Sequence, residues 1–532
     1  MQRTGAALTA LLLATAIAFG GSAAPVAAAP AGAPVIGCAD LTGSGGITSA
    51  TTVTSSGHQY CDVHAVINAA TGAPIHAEIK LPTTGWHGQY VQEGCGGLCG
   101  TATVTDFPSV GYGCAPAING QIALAADDTG HADSDVNDGS WGRTDVAARV
   151  AFGLTSEHRL ARYAKTVIAR YYGHPPAYSY FDGCSTGGRQ ALMLAQRYPD
   201  DFDGILAGSA AANLAPLSGM LDPWLIRANT GSDGHAILTA EKLPALHAAV
   251  MKRCADSDGV VVDPRRCDFQ PASIRCHGTD GATCLTPAQV DAVRKFYLGP
   301  TDTAGNSLYN GGMPYGSELG WTATFIAPAA DRGAPADTPD GRIALSYLKD
   351  LGYLRNPPAG YTLYDVQFTD HAFAALNVLG DAIYNANDPD LTAFRAHGGR
   401  LLLYHGLADP AIPPWSTIDY YAAVERTMGG YAASQSFSRL YLIPGGYHCL
   451  IGPDYTDPTQ IALPELLTPL MAWVQRGVAP GRIPAPIVAL ADNSVLVDQA
   501  VSPYDALAPV RSAPGSLNGH YHYIGQYGHV TG

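Results

Sequence analysis

The stretch Gly183-Cys184-Ser185-Thr186-Gly187-Gly188-Arg189 decides the fold of this chain. Its Gly-x-Ser-x-Gly pattern is typical of a sharp turn that joins a strand to a helix and carries a serine at its tip. The glycines on either side of the serine allow the backbone to bend, because they have no side chain that would clash. The pattern therefore predicts that the turn presents the Ser185 hydroxyl as a nucleophile.

A serine hydroxyl needs a base before it becomes a good nucleophile. Far along the chain, His448 is directly followed by Cys449, while Ser185 is directly preceded by Cys184. A disulfide between these two cysteines would hold the serine beside the histidine through their immediate neighbours. We therefore expect a serine and base pair that is fastened by a disulfide.

Strands alternate with helices on both sides of the turn. Short apolar runs bounded by turn residues predict buried strands, and longer runs with helical spacing predict helices. This alternation is typical of the α/β class, with a mostly parallel sheet covered on both faces. The predicted strands are residues 89–92, 122–126, 178–181, 204–207, 401–404 and 439–443, and the predicted helices are residues 147–172, 188–197 and 417–428.

The alternation is lost between residues 216 and 369. This stretch is rich in Gly, Pro and Asp, and it contains closely spaced cysteines and scattered aromatic residues. Both flanks are typical of halves of one sheet. We therefore expect a large lid domain, residues 216–369, inserted into a core formed by residues 30–215 and 370–532. The alternative is a separate carbohydrate-binding or other module.

Charge narrows the range of partners. The chain of 532 residues has a formal net charge of −15, and its sequence contains no cluster of Lys and Arg. Nucleic acid or an anionic membrane surface would call for a basic patch. Neither is therefore expected as a main partner.

The N-terminal residues are typical of a secretory signal. Arg3 is followed by an apolar run over residues 6–19 and then by small residues. We expect residues 1–29 to form the signal, with cleavage between residues 24 and 29, and the mature protein to be secreted. The alternative is a membrane anchor, but the run is short for a bilayer span and no later run is long and apolar enough.

Eleven cysteines in an exported chain favour disulfides. Sequence proximity predicts three local bridges, which are Cys38–Cys61, Cys254–Cys267 and Cys276–Cys284. Cys95, Cys99 and Cys114 remain, so one thiol should stay free. A zinc site at Cys95 and Cys99 is the alternative, although no second ligand pair follows at finger-like spacing.

The acid that orients the base should lie between Ser185 and His448 in the sequence. In folds that carry such a serine turn, the chain order of the three residues is Ser, then Asp or Glu, then His. Asp409 follows the predicted strand 401–404, and His448 follows the strand that ends at residue 443. Ser185 would attack a carbonyl carbon, His448 would take the serine proton, and Asp409 would stabilise the imidazolium. The competing histidines are His131, His371 and His405, of which the last is expected to make a structural hydrogen bond.

Catalysis of this kind also requires backbone N–H groups that bind the oxyanion of the tetrahedral intermediate. The residue after the nucleophile, Thr186, should supply one donor. A glycine turn after an early strand, Glu93-Gly94-Cys95-Gly96-Gly97, should supply the second through Gly96 or Gly97. The alternative is a glycine turn with no catalytic role.

Further motifs surround these candidates, at residues 128–131, 180–190, 197–199, 202–204, 316–321 and 405–421. Together with the Cys-Ser, Asp and His-Cys set, they resemble the tannase and feruloyl esterase family over nearly the whole mature chain. The resemblance implies an α/β-hydrolase fold with a lid, no organic cofactor, and small-molecule esters of aromatic acids such as ferulate or gallate as substrates. The same family includes a hydrolase of a terephthalate half-ester.

The resemblance also implies a structural calcium ion in the lid. Asp256, Asp258 and the carbonyl of Val260 could supply three of the six to eight oxygen ligands that calcium takes. The acidic loop is about four residues shorter than the family's usual double Asp-Gly pattern. The alternative is a loop closed only by the predicted disulfide between Cys254 and Cys267.

The sequence therefore predicts a secreted serine ester hydrolase of the feruloyl esterase type that works through an acyl-enzyme. Tannase and terephthalate half-ester hydrolase are the alternatives within that class. The alternative of another class is a catalytically inactive binding module, which the complete Ser, Asp and His set disfavours. Tyr315, Trp321 and Phe325 could stack on an aromatic acid or could form the lid core.

Overall fold

A computed structural model describes residues 32–67, 73–105, 114–327, 333–454, 458–510 and 512–518. The predicted secretory signal, residues 1–29, lies outside the described residues. Among the described residues, no helix combines the length and the apolar character needed to cross a membrane.

A sheet of nine strands forms the centre of the fold. In space the strands follow the order β1-β2-β3-β5-β4-β6-β7-β8-β9. The first three strands are antiparallel and β3 pairs antiparallel with β5, while all pairs from β5 to β9 are parallel. The strands are β1 (Ile47–Ser55), β2 (His58–Ile67), β3 (Ile75–Pro82), β4 (Gln89–Glu93), β5 (Ala123–Asp127), β6 (Tyr178–Cys184), β7 (Gly204–Gly208), β8 (Arg400–Gly406) and β9 (Ser438–Ile443).

The mostly parallel α/β sheet is confirmed, and β4 to β9 lie within a few residues of the predicted strands. The three antiparallel strands at one edge were not predicted. β1 has the sequence ITSATTVTS, in which Ile47, Ala50 and Val53 are separated by Ser and Thr, and most of its residues are partly or fully exposed. Such an edge strand lacks the continuous apolar run that marks a strand buried on both faces.

The helices pack on both faces of this sheet. The predicted helix 147–172 is present as two helices joined by a wider turn, Ala151–Thr155, and it ends at Gly173 with φ +82°. The α-helices are Ala115–Ile118, Val146–Val150, Ser156–Tyr172, Thr186–Arg197, Leu214–Pro216, Asp222–Ala228, Leu243–Cys254, Pro287–Leu298, Pro339–Ser346, Asp370–Leu379, Thr392–His397, Trp415–Thr427, Tyr431–Ser434 and Leu467–Arg476.

Alternate residues of the parallel strands point to opposite faces of the sheet. In β8, Leu401 and Leu403 pack into one hydrophobic cluster, whereas Leu402 and Tyr404 pack into the cluster on the other side. Burial on both faces explains why β8 is a nearly unbroken apolar run. It also places the carboxyl ends of the parallel strands along one edge, where loops are free to carry functional side chains.

Between β7 and β8 the described residues form helices and turns, with no strand of the central sheet. They surround a hydrophobic cluster of their own, in which Tyr315, Trp321 and Phe325 are fully buried and contact other aromatic rings. These three residues are therefore core residues. The cluster continues past residue 369 to Phe373 and Tyr384. The function of the insertion as a lid stays a prediction.

Five short strands follow the last parallel strand. They form one sheet of three strands and one of two. These strands are β10 (Gln460–Ala462), β11 (Ile483–Pro484), β12 (Ile487–Ala489), β13 (Val495–Val497) and β14 (Ala500–Val501).

Candidate active site

Ser185 lies at the turn between β6 and the helix Thr186–Arg197, with φ +64° and ψ −122°. A non-glycine residue in this conformation is strained and persists only where the surroundings enforce it. A Cβ atom at Gly183 would lie 2.3 Å from the Gly187 carbonyl oxygen, and one at Gly188 would lie 2.3 Å from the Gly208 carbonyl oxygen. Gly183 and Gly188 are thus required by backbone contact.

Asp409 and His448 lie on the loops that follow β8 and β9. His448 Nδ1 is 2.9 Å from Asp409 Oδ2 and 3.1 Å from Asp409 Oδ1. The Asp409 carboxylate is fully buried, and its Oδ1 accepts hydrogen bonds from the backbone N–H groups of Ala411 and Ile412, each at 2.9 Å. These bonds fix the carboxylate in an orientation that presents it to the imidazole.

The two groups shift each other's pKa. Burial by itself would raise the pKa of Asp409, but the charge of His448 and hydrogen bonds from His405 and His448 outweigh it, so the pKa lies well below its usual range. Burial would lower the pKa of His448, but the charge of Asp409 and its hydrogen bond outweigh that effect and raise the pKa. The pair is therefore arranged to stabilise an imidazolium.

A disulfide joins Cys184 to Cys449, with their Cα atoms 5.7 Å apart. Through this bridge the residue before Ser185 is bonded to the residue after His448. Both Ser185 and His448 line one cavity with a volume of about 530 Å³. The structure thus brings together all three predicted catalytic residues, which come from three separate strand ends.

The other histidines have different surroundings. His405 is fully buried and lies 2.8 Å from both Thr417 Oγ1 and the Ile412 carbonyl oxygen, which agrees with a structural role. His131 stacks on Trp141 with ring centroids 3.6 Å apart. His371 is exposed on the helix Asp370–Leu379.

The predicted oxyanion-binding loop lies beside the serine. Gly96 and Gly97 line the same cavity as Ser185. The hydroxyl of Thr186 donates a hydrogen bond of 2.6 Å to the Gly97 carbonyl oxygen, which ties the loop to the start of the helix. His131 Nε2 lies 2.9 Å from the carbonyl oxygen of Leu98, which is a second hydrogen-bond contact to this loop.

A family model described as tannase and feruloyl esterase matches residues 61–508 of the chain. The chain belongs to this family. Like other members, it is a carboxylic ester hydrolase, and its substrates are small-molecule esters.

Three curated relatives illustrate the similarity. The chain is 32% identical to a mono(2-hydroxyethyl) terephthalate hydrolase of Piscinibacter sakaiensis, over 80% of this chain and 78% of the relative. It is 32% identical to a probable feruloyl esterase of Arthroderma benhamiae, over 75% and 73% of the two chains. It is 30% identical to feruloyl esterase B of Aspergillus niger, over 80% and 79%.

Solved structures share the fold. Feruloyl esterase B from Aspergillus oryzae superposes with a TM-score of 0.71 at 24% identity, over 86% of this chain and 92% of that one. A tannin acyl hydrolase from Aspergillus niger superposes with a TM-score of 0.67 at 20% identity, over 89% and 91%. These likenesses confirm the predicted α/β-hydrolase fold.

This family esterase contains the four disulfides that its sequence predicts and one more. Cys95 and Cys99 are bonded to each other across the predicted oxyanion-binding loop, and Cys114 is a free, buried thiol. Because both sulfurs are engaged in the bridge, the alternative of a zinc site at these cysteines is wrong. The four predicted bridges are Cys38–Cys61, Cys184–Cys449, Cys254–Cys267 and Cys276–Cys284.

Some of the oxygens predicted to bind calcium accept hydrogen bonds within their own loop. Asp256 Oδ1 accepts hydrogen bonds from the backbone N–H groups of Asp258 and Val260, at 3.0 and 3.2 Å. The Val260 carbonyl oxygen accepts a hydrogen bond of 3.0 Å from the backbone N–H of Asp256. The carboxylate of Asp263 is paired with Arg265. The shortened loop thus uses its own oxygens to close a turn, and calcium binding stays an untested prediction.

Sequence reasoning missed the acidic lining of the cavity. Glu93 on β4, Asp127 on β5, Asp182 on β6 and Asp340 on the helix Pro339–Ser346 all line it. Burial raises the pKa of Glu93 to about 8 and that of Asp340 to about 7. Glu93, Asp127 and Asp182 each directly follow a predicted strand and could have been found from that position. No local signal marked Asp340.

Proposed function

We propose that the protein hydrolyses esters of aromatic acids through an acyl-enzyme formed on Ser185. The observation that supports this most strongly is the geometry around the cavity. Ser185 and His448 line it together, and His448 is hydrogen-bonded to a buried, charged Asp409. Membership of the tannase and feruloyl esterase family supports the aromatic acid.

In the first half of the reaction, Ser185 Oγ attacks the ester carbonyl carbon while His448 Nε2 takes the hydroxyl proton. Asp409 accepts the Nδ1 proton of His448 in a hydrogen bond, which keeps Nε2 as the basic nitrogen and stabilises the imidazolium. His448 then gives its proton to the departing alcohol. In the second half, water replaces the serine as nucleophile, and the aromatic acid leaves with Ser185 restored.

Negative charge develops on the carbonyl oxygen in both halves. The backbone N–H groups of Thr186 and of Gly96 or Gly97 are our candidates for binding it, because these residues flank Ser185 on two sides. Donors of this kind typically lower the barrier by about 3 kcal/mol each.

Export is also part of the proposal. Five disulfides are typical of a protein that folds in an oxidising compartment. Together with the N-terminal apolar run they favour a secreted enzyme. Feruloyl esterase and tannase activities are both consistent with the family.

The direct test is Ser185→Ala, assayed on methyl ferulate and methyl gallate. We expect loss of turnover with both esters and an unchanged melting temperature, because the change removes one oxygen from a site that is already built. Labelling with a fluorophosphonate should add one adduct to the wild-type mass and none to the variant. Ser436→Ala, at an exposed serine outside the cavity, is the control. Full turnover by Ser185→Ala would contradict the mechanism, and turnover of neither ester by the wild type would contradict the proposed function.

A further inference from the structure

The cavity around Ser185 is lined by carboxyl groups from four separate elements. Glu93, Asp127 and Asp182 come from neighbouring strands, and Asp340 comes from the insertion between β7 and β8. All four are largely buried. None of these four carboxyl groups belongs to the proposed set of Ser185, His448 and Asp409. The proposed mechanism therefore does not explain why they are there.

Asp340 is the member of this cluster whose charge acts on the proposed catalytic base, His448, in the same cavity. Its residue is 9% exposed, and its Oδ2 makes no hydrogen bond with any part of the chain that the structure describes. It lies close enough to His448 for the charges of the two groups to interact. A buried oxygen without a hydrogen bond is costly, so it is a ready acceptor for a donor on a bound molecule.

Two further carboxyl groups in the cavity wall have an oxygen to which no described residue bonds. Glu93 Oε2 accepts hydrogen bonds from the backbone and the hydroxyl of Thr105, whereas no described residue bonds to Oε1. Asp127 Oδ1 accepts a bond of 2.8 Å from the Thr129 N–H, whereas Oδ2 has no partner among the described residues. The walls thus offer unbonded carboxyl oxygens at several points.

Positive charge is scarce in the same place. Within the described residues that line the cavity, His448 is the one side chain that can carry it, since neither Lys nor Arg is present. Arg342, on the helix that carries Asp340, is paired with Asp135 and is about half exposed. A carboxylate on the acid part of a substrate would therefore be buried against walls whose described residues offer no Lys or Arg to pair with it, and burial of an unpaired charge carries a large free-energy penalty.

We propose that this site selects esters whose aromatic acid is uncharged and rejects those whose acid carries a second carboxylate, with Asp340 as the main specificity-determining residue. The inference rests on the proposed function and deepens it. It separates this esterase from its terephthalate half-ester relative, whose substrate carries such a carboxylate at neutral pH.

The test compares two substrates of the same shape. Methyl 4-carbamoylbenzoate and mono-methyl terephthalate differ only in an amide in place of a carboxylate. At pH 8 we expect kcat/KM for the amide to exceed that for the carboxylate by at least about tenfold. When the two compounds are tested as inhibitors of methyl ferulate hydrolysis, the amide should also bind more tightly than the carboxylate.

A carboxylate that is processed and bound as well as the amide would overturn the inference and leave the proposed function intact. Wild-type enzyme that hydrolyses neither of these esters nor methyl ferulate would overturn both. The comparison needs only the wild-type protein, so it does not depend on how any variant folds.

The variant Asp340→Asn then tests whether Asp340 is the residue that causes the preference for the amide. Removing the negative charge while keeping the shape should reduce the preference for the amide by at least about threefold. Asp337→Asn is the matched control, because it removes one charge from an exposed position three residues away. An unchanged preference in a folded Asp340→Asn variant, or an equal change in Asp337→Asn, would overturn the assignment to Asp340.

Discussion

At Asp409 a full negative charge lies in a position without solvent exposure. It is tolerated because the two neighbouring histidines and two backbone N–H groups bind both carboxylate oxygens. In the proposed mechanism the same contacts serve catalysis, because a fixed carboxylate sets the tautomer of His448. The interaction between Asp409 and His448 thus stabilises the buried charge and also raises the basicity of the histidine.

The pH profile of kcat/KM should reflect this pair. The base must be neutral to accept a proton, and the pKa of His448 is raised above its ordinary value near 6.5 by Asp409. We therefore expect activity to be lost on the acid side with a midpoint above pH 6.5. In Asp409→Asn the raising charge is gone, so the midpoint should move to lower pH.

The same variant should also lower the plateau of kcat/KM by roughly 10³- to 10⁴-fold, because the amide no longer holds the required tautomer. Asp337→Asn, which changes an exposed carboxylate, should leave both plateau and midpoint unchanged. A midpoint that stays in place in Asp409→Asn would assign the titration to another group.

At the scale of an element, a disulfide between two residues only four positions apart restrains the loop that follows β4. The bridge between Cys95 and Cys99 encloses Gly96, Gly97 and Leu98 in a small ring. Gln190 adds to this, since its Oε1 accepts a hydrogen bond of 3.1 Å from the Cys95 backbone N–H. Two glycines would otherwise be free to adopt many conformations.

We expect Cys95→Ser/Cys99→Ser to lower kcat by about tenfold or more with a smaller change in KM, because a loosened loop aims its N–H groups less well at the oxyanion. Steady-state kinetics on methyl ferulate provide the measurement. Cys276→Ser/Cys284→Ser is the control, since it opens another short bridge outside the cavity. Equal kcat in both double variants would argue against a catalytic role for the ring.

The acidic loop of the insertion leads to a prediction about calcium. Asp256 and Val260 are bonded within the turn, and the turn is closed further by the disulfide from Cys254 to Cys267. We therefore expect chelation of calcium to leave the melting temperature unchanged, and added calcium to have no effect. A clear fall in melting temperature after chelation, reversed by calcium, would show that the ion binds and that the turn rearranges around it.

At the scale of the whole molecule, the Cys184–Cys449 bridge joins the two halves of the sheet across the insertion. The bonded residues are 265 positions apart. A cross-link that closes so long a loop reduces the conformational entropy of the unfolded chain. In the chain-entropy model this stabilises the folded protein by up to about 5 kcal/mol. The bridge also holds the proposed nucleophile, Ser185, close to the proposed base, His448.

Cys184→Ala/Cys449→Ala should therefore lower both the melting temperature and kcat/KM. Calorimetry and the methyl ferulate assay measure the two effects separately. Cys38→Ala/Cys61→Ala, which removes a bridge at the far edge of the sheet, should lower the melting temperature and preserve kcat/KM. Full activity of the Cys184/Cys449 variant below its melting temperature would limit the bridge to a stabilising role.

The sequence by itself determined the parallel half of the sheet and the proposed catalytic set. Both are encoded locally: buried strands are apolar runs, the serine turn needs its glycines, and Asp409 and His448 directly follow strands. It also indicated four of the five disulfides, from proximity or from the cysteines beside Ser185 and His448.

Only the tertiary structure decided the rest. The antiparallel edge strands depend on pairing partners more than on their own composition. Glu93, Asp127 and Asp340 meet in one cavity because distant elements pack together, and spacing along the chain does not encode that meeting. The Cys95–Cys99 bridge was likewise resolved by geometry, since the sequence left three cysteines to choose from. Local patterns thus specified the reacting groups, whereas long-range packing set the charge that surrounds the substrate.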